Sequence, residues 1–185
     1  LVLIIVESLG VPKNNQAMSD KLFAQYRSSA VTDRYDVSQG TSLYYNSTTA
    51  GEMRELCGRW GDYYELLDSN DPATLNCLPA PLAKKGYATE AMHSFKGPFF
   101  KRENWYPKIG FQKREFAVDL EKRGAEWCGG VFAGACDRQV PKMLAENLKR
   151  ATQPTFQYWL TLNTHLPVPT EQNLHAENCE KVSVE

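Results

Sequence analysis

The chain has 185 residues and a formal net charge of −1 at pH 7. That length supports one domain with a sizeable core, and the near-cancelling charges leave no basic footprint for nucleic acid. No stretch approaches the roughly 20 apolar residues that span a bilayer, and no low-complexity tract interrupts the chain.

The opening run LVLIIV is continuous, apolar and β-branched. It has the pattern of a parallel strand buried on both faces, and it delivers Glu7 at its end. Because the chain starts inside an element, it reads as part of a longer protein whose upstream portion could carry membrane segments. NNQAMSDKLFAQYRSS, residues 14–29, has helical spacing, and AVTDRYDVS, residues 30–38, reads as a short strand. TTAGEMRELCG, residues 48–58, opens on a Thr cap, carries acids in its first turns and closes on Gly58, so it predicts a helix. LNCLPAPLAKKG predicts a helix ending at Gly86, followed by a strand in YATEAMHS. RENWYPKIGF reads as a short helix or turn. CDRQVPKMLAENLKRA begins with Asp137 as a cap and continues as an amphipathic helix. TFQYWLTLN is a further aromatic and β-branched strand. Strands alternating with helices imply an α/β sandwich, a mostly parallel central sheet flanked by helices, and residues 1–185 read as one incomplete domain.

In such folds the site lies outside the carboxyl ends of the strands. Three strand-like runs end in reactive residues: Glu7, His93 and His165. On position alone Glu7 is a metal ligand, a general base or a solvated loop acid. Around the Thr pair, Ser47, Thr48 or Thr49 can cap the helix. The same geometry aims backbone N–H groups at a phosphate or sulfate, and a hydroxyl there becomes a nucleophile if a metal lowers its pKa. Ala50 and Gly51 let a substrate approach the backbone. His93, Lys96, Arg102 and the rings of Phe99, Phe100, Trp105 and Tyr106 crowd one short region. They form either a surface loop with a few buried rings or a pocket for an anionic headgroup. His165, between a strand and a proline turn, is structural or functional, and His175 reads as surface. Five cysteines occur without a C-x-x-C pair, which argues against a zinc ribbon. Cys128 and Cys136 bracket a small-residue loop that can close as a disulfide, and Cys57 can pair with Cys77. The alternative is five reduced thiols. Cys179 is left over.

Taken together, four segments resemble the catalytic domain of the sulfatase-like, alkaline-phosphatase superfamily. Within it they look like bacterial cell-envelope phosphotransferases: lipoteichoic acid synthases, phosphoglycerol transferases and phosphoethanolamine transferases. LVLIIVESLG is similar to the opening strand whose Glu binds the catalytic metal, which implies that role for Glu7. TTAGEMRELCG resembles the nucleophile segment, and the family spacing to Gly51 selects Thr48 over Thr49. HSFKGPFFKR resembles the headgroup-holding cluster and implies His93, Phe100 and Arg102, with Phe100 standing where a Trp is usual. LNTHLPV resembles the segment whose His contacts phosphate, implying His165. The chain lacks the C/S-x-P-x-R motif of formylglycine sulfatases. It also lacks the Asp-His pair with which the family completes its metal site, which the resemblance puts beyond Glu185.

The resemblance implies one divalent metal, Zn or Mn, held by Glu7 and Thr48 together with the missing pair. These residues alone are then expected to bind metal poorly and to be inactive. It implies transfer of a phosphoethanolamine or phosphoglycerol headgroup from a phospholipid donor to an envelope glycan or lipid, through a covalent phospho-Thr48. Passing the group to water, as a phosphodiesterase or sulfuric ester hydrolase, is the alternative within the fold, and a degenerate anion-binding member is the alternative outside catalysis. The implied location is the periplasmic or extracellular face of a bacterial inner membrane, with a membrane-anchored parent. Disulfides fit such an oxidising compartment.

Overall fold

The computed structural model describes residues 1–12, 14–44, 46–68 and 76–167. Its centre is a four-stranded, all-parallel sheet of β1 (Val2–Ile5), β2 (Ala88–His93), β3 (Lys113–Glu115) and β6 (Thr155–Leu160), in the order β1-β6-β2-β3. In register, Leu160 pairs with both Ile5 and His93. All strands run the same way, so the segments after Ile5, His93 and Leu160 leave the sheet along one edge. The α/β class expected from the alternating pattern is the one observed.

β6 is an inner strand, between β1 and β2. All six of its residues are buried, and its alternating side chains serve two cores. Phe156, Tyr158 and Leu160 pack with Met53, Leu56, Leu66, Trp105, Tyr106 and Phe111 on one face. Trp159 packs with Met92, Leu120, Val140 and Met143 on the other. The opening run was expected to be buried on both faces, and the structure corrects this. Among the described residues β1 is an edge strand, and Val2, Ile4 and Val6 are respectively 48%, 45% and 37% exposed. A continuous apolar run cannot tell a central strand from an edge strand with one open face.

The first core is covered by α3 (Thr48–Cys57), α4 (Tyr64–Asp68), α5 (Pro79–Lys84) and α6 (Arg102–Lys108), and the second by α7 (Ala117–Lys122) and α8 (Val140–Arg150). Gly58 ends α3 in the left-handed conformation, φ 62°, that its lack of a Cβ permits. The helix expected over 75–86 is shorter, because Pro79 starts it and Cys77 is bound to Cys57. A second disulfide joins Cys128 to Cys136 across the small antiparallel pair β4 (Trp127–Cys128) and β5 (Gly134–Ala135). Both pairings suggested by the sequence are present. His175 and Cys179 lie outside the described residues. Among the described residues no helix is long and apolar enough to cross a membrane.

Leu9–Tyr45 forms a separate compact unit, inserted between Glu7 and Thr48. It holds α1 (Gln16–Phe23), a 3-10 turn (Ala24–Arg27) and α2 (Ser29–Thr32). The Asn15 side chain accepts from the Met18 N–H at 2.9 Å and starts α1. No residue of these helices is buried. The strand expected at 30–38 is absent: α2 takes its first residues, and no strand follows. Val31, Tyr35 and Val37 favour a strand, but among the described residues no strand lies beside them and none of the three is buried.

Candidate active site

Glu7 follows β1 directly and is only 9% exposed. The loop after β6 fixes its backbone. Glu7 N–H donates to Thr161 Oγ1 at 2.9 Å, and Thr164 Oγ1 donates to the Glu7 carbonyl at 2.5 Å. Thr48, the first residue of α3, donates its hydroxyl to Glu7 Oε1 at 2.7 Å. Two side chains from opposite ends of an inserted unit thus meet beside a helix start, where the first N–H groups lack intrahelical partners. Ser47 occupies the cap position, but its hydroxyl bonds Thr49 Oγ1 at 2.8 Å rather than the backbone. Thr49 is fully buried and also donates to Asp62 Oδ1 at 3.2 Å. Its hydroxyl is committed inward, whereas that of Thr48 meets Glu7.

His93 ends β2 and is 2% exposed. Its Nδ1 lies 3.1 Å from the Leu160 carbonyl oxygen. A carbonyl only accepts, so this bond puts the ring proton on Nδ1 and makes Nε2 an acceptor. Burial, with the Arg102 charge nearby, holds the His93 pKa well below the usual imidazole range. The ring is therefore neutral.

Arg102 sits at the start of α6 and is 2% exposed. Its Nε and Nη2 donate to Glu52 Oε2 at 3.0 and 2.8 Å. Tyr106 and Tyr158 donate to Glu52 Oε1 at 2.5 and 3.0 Å. Burial opposes the Arg102 charge, but the Glu52 carboxylate outweighs it and the guanidinium stays ionised. Nη1 makes only a long contact, 3.4 Å, to the Phe99 carbonyl. The Phe100 ring covers the guanidinium, its centroid 5.3 Å from Cζ. Phe100 and Lys101 both have left-handed backbones, φ 54° and 51°, a strained turn held by Trp105 Nε1 donating to the Phe100 carbonyl at 3.1 Å.

His165 follows β6. Its Nδ1 lies 2.8 Å from the Leu166 carbonyl oxygen, and its ring meets Phe132 edge-on at 4.5 Å.

The sequence reading missed two carboxylates here. Glu52 reads as a surface helix acid, yet Thr49, Glu52, Met53 and Leu56 line the buried face of α3. An acid at a core position of that pattern was the available signal. Asp137 was expected to cap a helix, and the structure corrects this. Its carboxylate accepts from Ser94 Oγ at 2.5 Å and from the Leu162 and Asn163 N–H groups at 2.7 and 2.6 Å. Helix α8 starts three residues later at Val140, with Pro141 in its first turn. Burial raises the Asp137 pKa despite these bonds.

Glu7 and Thr48 bring two hard oxygen donors together, a fit to part of a divalent-metal site. Among the described residues no group of three or more His, Cys, Asp or Glu side chains completes one.

Comparison with known proteins follows the same lines. A family model described as Sulfatase matches residues 1–183. No curated protein matches significantly. Among the solved structures that share the fold are two of low sequence identity. One is a protein in the alkaline phosphatase superfamily from Vibrio parahaemolyticus, at 17% identity and TM-score 0.68, covering 100% of this chain and 44% of that one. The other is the lipoteichoic acid synthase LtaP from Listeria monocytogenes, at 22% identity and TM-score 0.52, covering 65% of this chain and 29% of that one. The chain thus spans less than half the length of either.

Proposed function

We propose, because the chain belongs to the sulfatase family, that it is the N-terminal part of the catalytic domain of an envelope phosphotransferase. In this reading it moves a phosphoglycerol or phosphoethanolamine headgroup from a phospholipid to a glycan or lipid hydroxyl. The observation that carries the reading is the Thr48 hydroxyl at the start of α3, 2.7 Å from Glu7 Oε1. Thr48 Oγ1 attacks phosphorus, the phosphorus–oxygen bond to diacylglycerol breaks, the proton lost by Thr48 leaves on the diacylglycerol hydroxyl, and the headgroup stays on Thr48. The acceptor hydroxyl then displaces Thr48. The Thr48 proton points at Glu7, so the oxygen lone pairs are available to phosphorus, and the N–H groups at the helix start receive the anionic oxygens.

Glu7 and Thr48 would hold part of the shell of a divalent cation, Zn or Mn, which when bound would supply positive charge to the nucleophile oxygen and the phosphate. Neutral His93 cannot donate from Nε2. It accepts there, from a headgroup hydroxyl or ammonium. Arg102 Nη1 is the donor left for a phosphate oxygen, and the ring of Phe100 walls the headgroup. His165 is assigned to a phosphate oxygen. One similar fold belongs to a lipoteichoic acid synthase, in keeping with this chemistry. The disulfides fit an extracytoplasmic site, at the outer face of the membrane that supplies the donor.

The test is intact-mass analysis of the full-length protein incubated with a divalent metal and vesicles of phosphatidylglycerol or phosphatidylethanolamine. A headgroup-sized adduct on Thr48 is expected. An adduct that persists in Thr48→Ala, or none with either lipid, rejects the reading.

A further inference from the structure

The segment Thr161–His165 is held from both sides. On one side are the two bonds to Glu7 already described. On the other is the loop closed by Cys128 and Cys136. Asp137, the residue after that disulfide, takes the N–H groups of Leu162 and Asn163 on a single carboxylate oxygen, Oδ2. It returns its own N–H to Asn163 Oδ1 at 2.7 Å. Its other oxygen anchors to Ser94, at the end of β2. Within the loop, Phe132 lies against the His165 ring and packs on Phe95 and Phe99, at 5.5 and 5.4 Å. The loop sits directly on the sheet edge. Ala135 N–H donates to the Ser94 carbonyl at 2.9 Å, and a Cβ at Gly134 would lie 2.1 Å from that oxygen. Only glycine permits this approach.

We infer that the disulfide loop is the positioning apparatus of His165: Asp137 fixes the backbone that carries the imidazole, and Phe132 fixes the ring. The inference rests on the reading of His165 as a substrate contact, and it makes Asp137 and Phe132 positioning residues rather than catalytic ones. The His165 N–H donates to the Leu162 carbonyl at 3.0 Å. The peptide that Asp137 grips is thus one bond from the histidine backbone. The disulfide holds the two ends of the loop together, with Phe132 inside it and Asp137 directly after it.

The experiment is nuclear magnetic resonance on the chain labelled at histidine rings, whose three histidines are assigned by replacing one at a time. Phe132→Leu also removes a ring current, so the readout is the mobility of the His165 ring from its carbon relaxation, which is expected to rise while that of His93 is unchanged, with the melting temperature little changed. Asp137→Ala is expected to speed exchange of the Leu162 and Asn163 amides by about tenfold or more, since each loses a charge-assisted hydrogen bond. Should Asp137→Ala not fold, isosteric Asp137→Asn keeps one acceptor oxygen and gives a smaller effect of the same kind. Cys128→Ala with Cys136→Ala, which opens the loop, is expected to displace the His165 signals as well. A His165 ring no more mobile in Phe132→Leu, with its signals unchanged in the opened loop, overturns the inference, whatever the protein does to phospholipid. A ring that loosens in a protein forming no Thr48 adduct supports it and rejects the proposed chemistry instead.

Discussion

Glu52 and Arg102 form an ion pair that is almost free of solvent contact, their side chains 0% and 2% exposed. The pair ties α3 to α6, and the hydroxyls of Tyr106 and Tyr158 complete the carboxylate's bonding. Such a pair adds less net stability than its geometry suggests, but breaking it leaves an uncompensated buried charge. Glu52→Ala is therefore expected to destabilise the fold by about 3–5 kcal/mol. Combining it with Arg102→Leu is expected to destabilise by less than the sum of the single changes, because the second removes the orphaned cation. Urea unfolding of the four proteins in that cycle checks both statements. Additive effects would mean that the two groups do not depend on each other.

His93 makes the fold sensitive to mild acid. Its folded pKa lies well below the ordinary value of 6.5. Below about pH 6.5 the unfolded chain therefore takes up a proton that the folded one refuses. Stability is full above that pH and falls as the pH drops through the window beneath it, by about 1.4 kcal/mol per unit. Asp137 has the opposite sign, since its pKa is raised from 3.8 and its contribution weakens as pH rises through the window above that value. Urea midpoints of the parent and of His93→Gln, compared between about pH 7.5 and 5.5, isolate the histidine. The substituted protein is expected to lack the steeper part of the slope.

Thr48 and Thr49 are expected to separate cleanly. Thr49 bridges Ser47 and Asp62 in a buried setting. Thr49→Val should lower stability by about 1–3 kcal/mol, from the partners it strands, while retaining any headgroup adduct. Thr48→Val is expected to change stability by less than about 1 kcal/mol and to abolish the adduct. Melting curves and intact-mass spectra read the two effects on the same samples. The reverse pattern would move the nucleophile to Thr49.

Cys57 and Cys77 clip the end of α3 to the loop before α5 across a sequence separation of 20. Closing a loop of that length removes unfolded-state freedom on the order of 3 kcal/mol. Replacing both cysteines by alanine should lower the melting temperature accordingly. A much smaller change would mean that the unfolded chain is already compact there.

The elements that present the site were legible because their signals are local. A β-branched run ending in Glu7 and a Thr-Thr start ending in Gly58 each carry their own pattern, and the structure brings Glu7 and Thr48 together. What stayed hidden depends on distant partners. Glu52 looks like any helix acid until Arg102, 50 positions away, is seen to bind it. Asp137 fits a cap equally well until the ends of β2 and β6 come to lie beside it. The expected strand at 30–38 failed for the mirror-image reason. Its residues had the propensity, but the fold offered them no partner.

β1 has one further consequence, for handling the protein. Among the described residues it pairs only with β6, and Val2, Ile4 and Val6 are partly exposed. An open edge with apolar side chains is a template on which another chain can add its own strand. Self-association is then expected to start at the strand that carries Glu7, so that clumping and distortion of the site arrive together. Ile4→Lys, at a position already partly exposed, should keep concentrated samples dispersed while the turn that follows still holds Glu7 against Thr48.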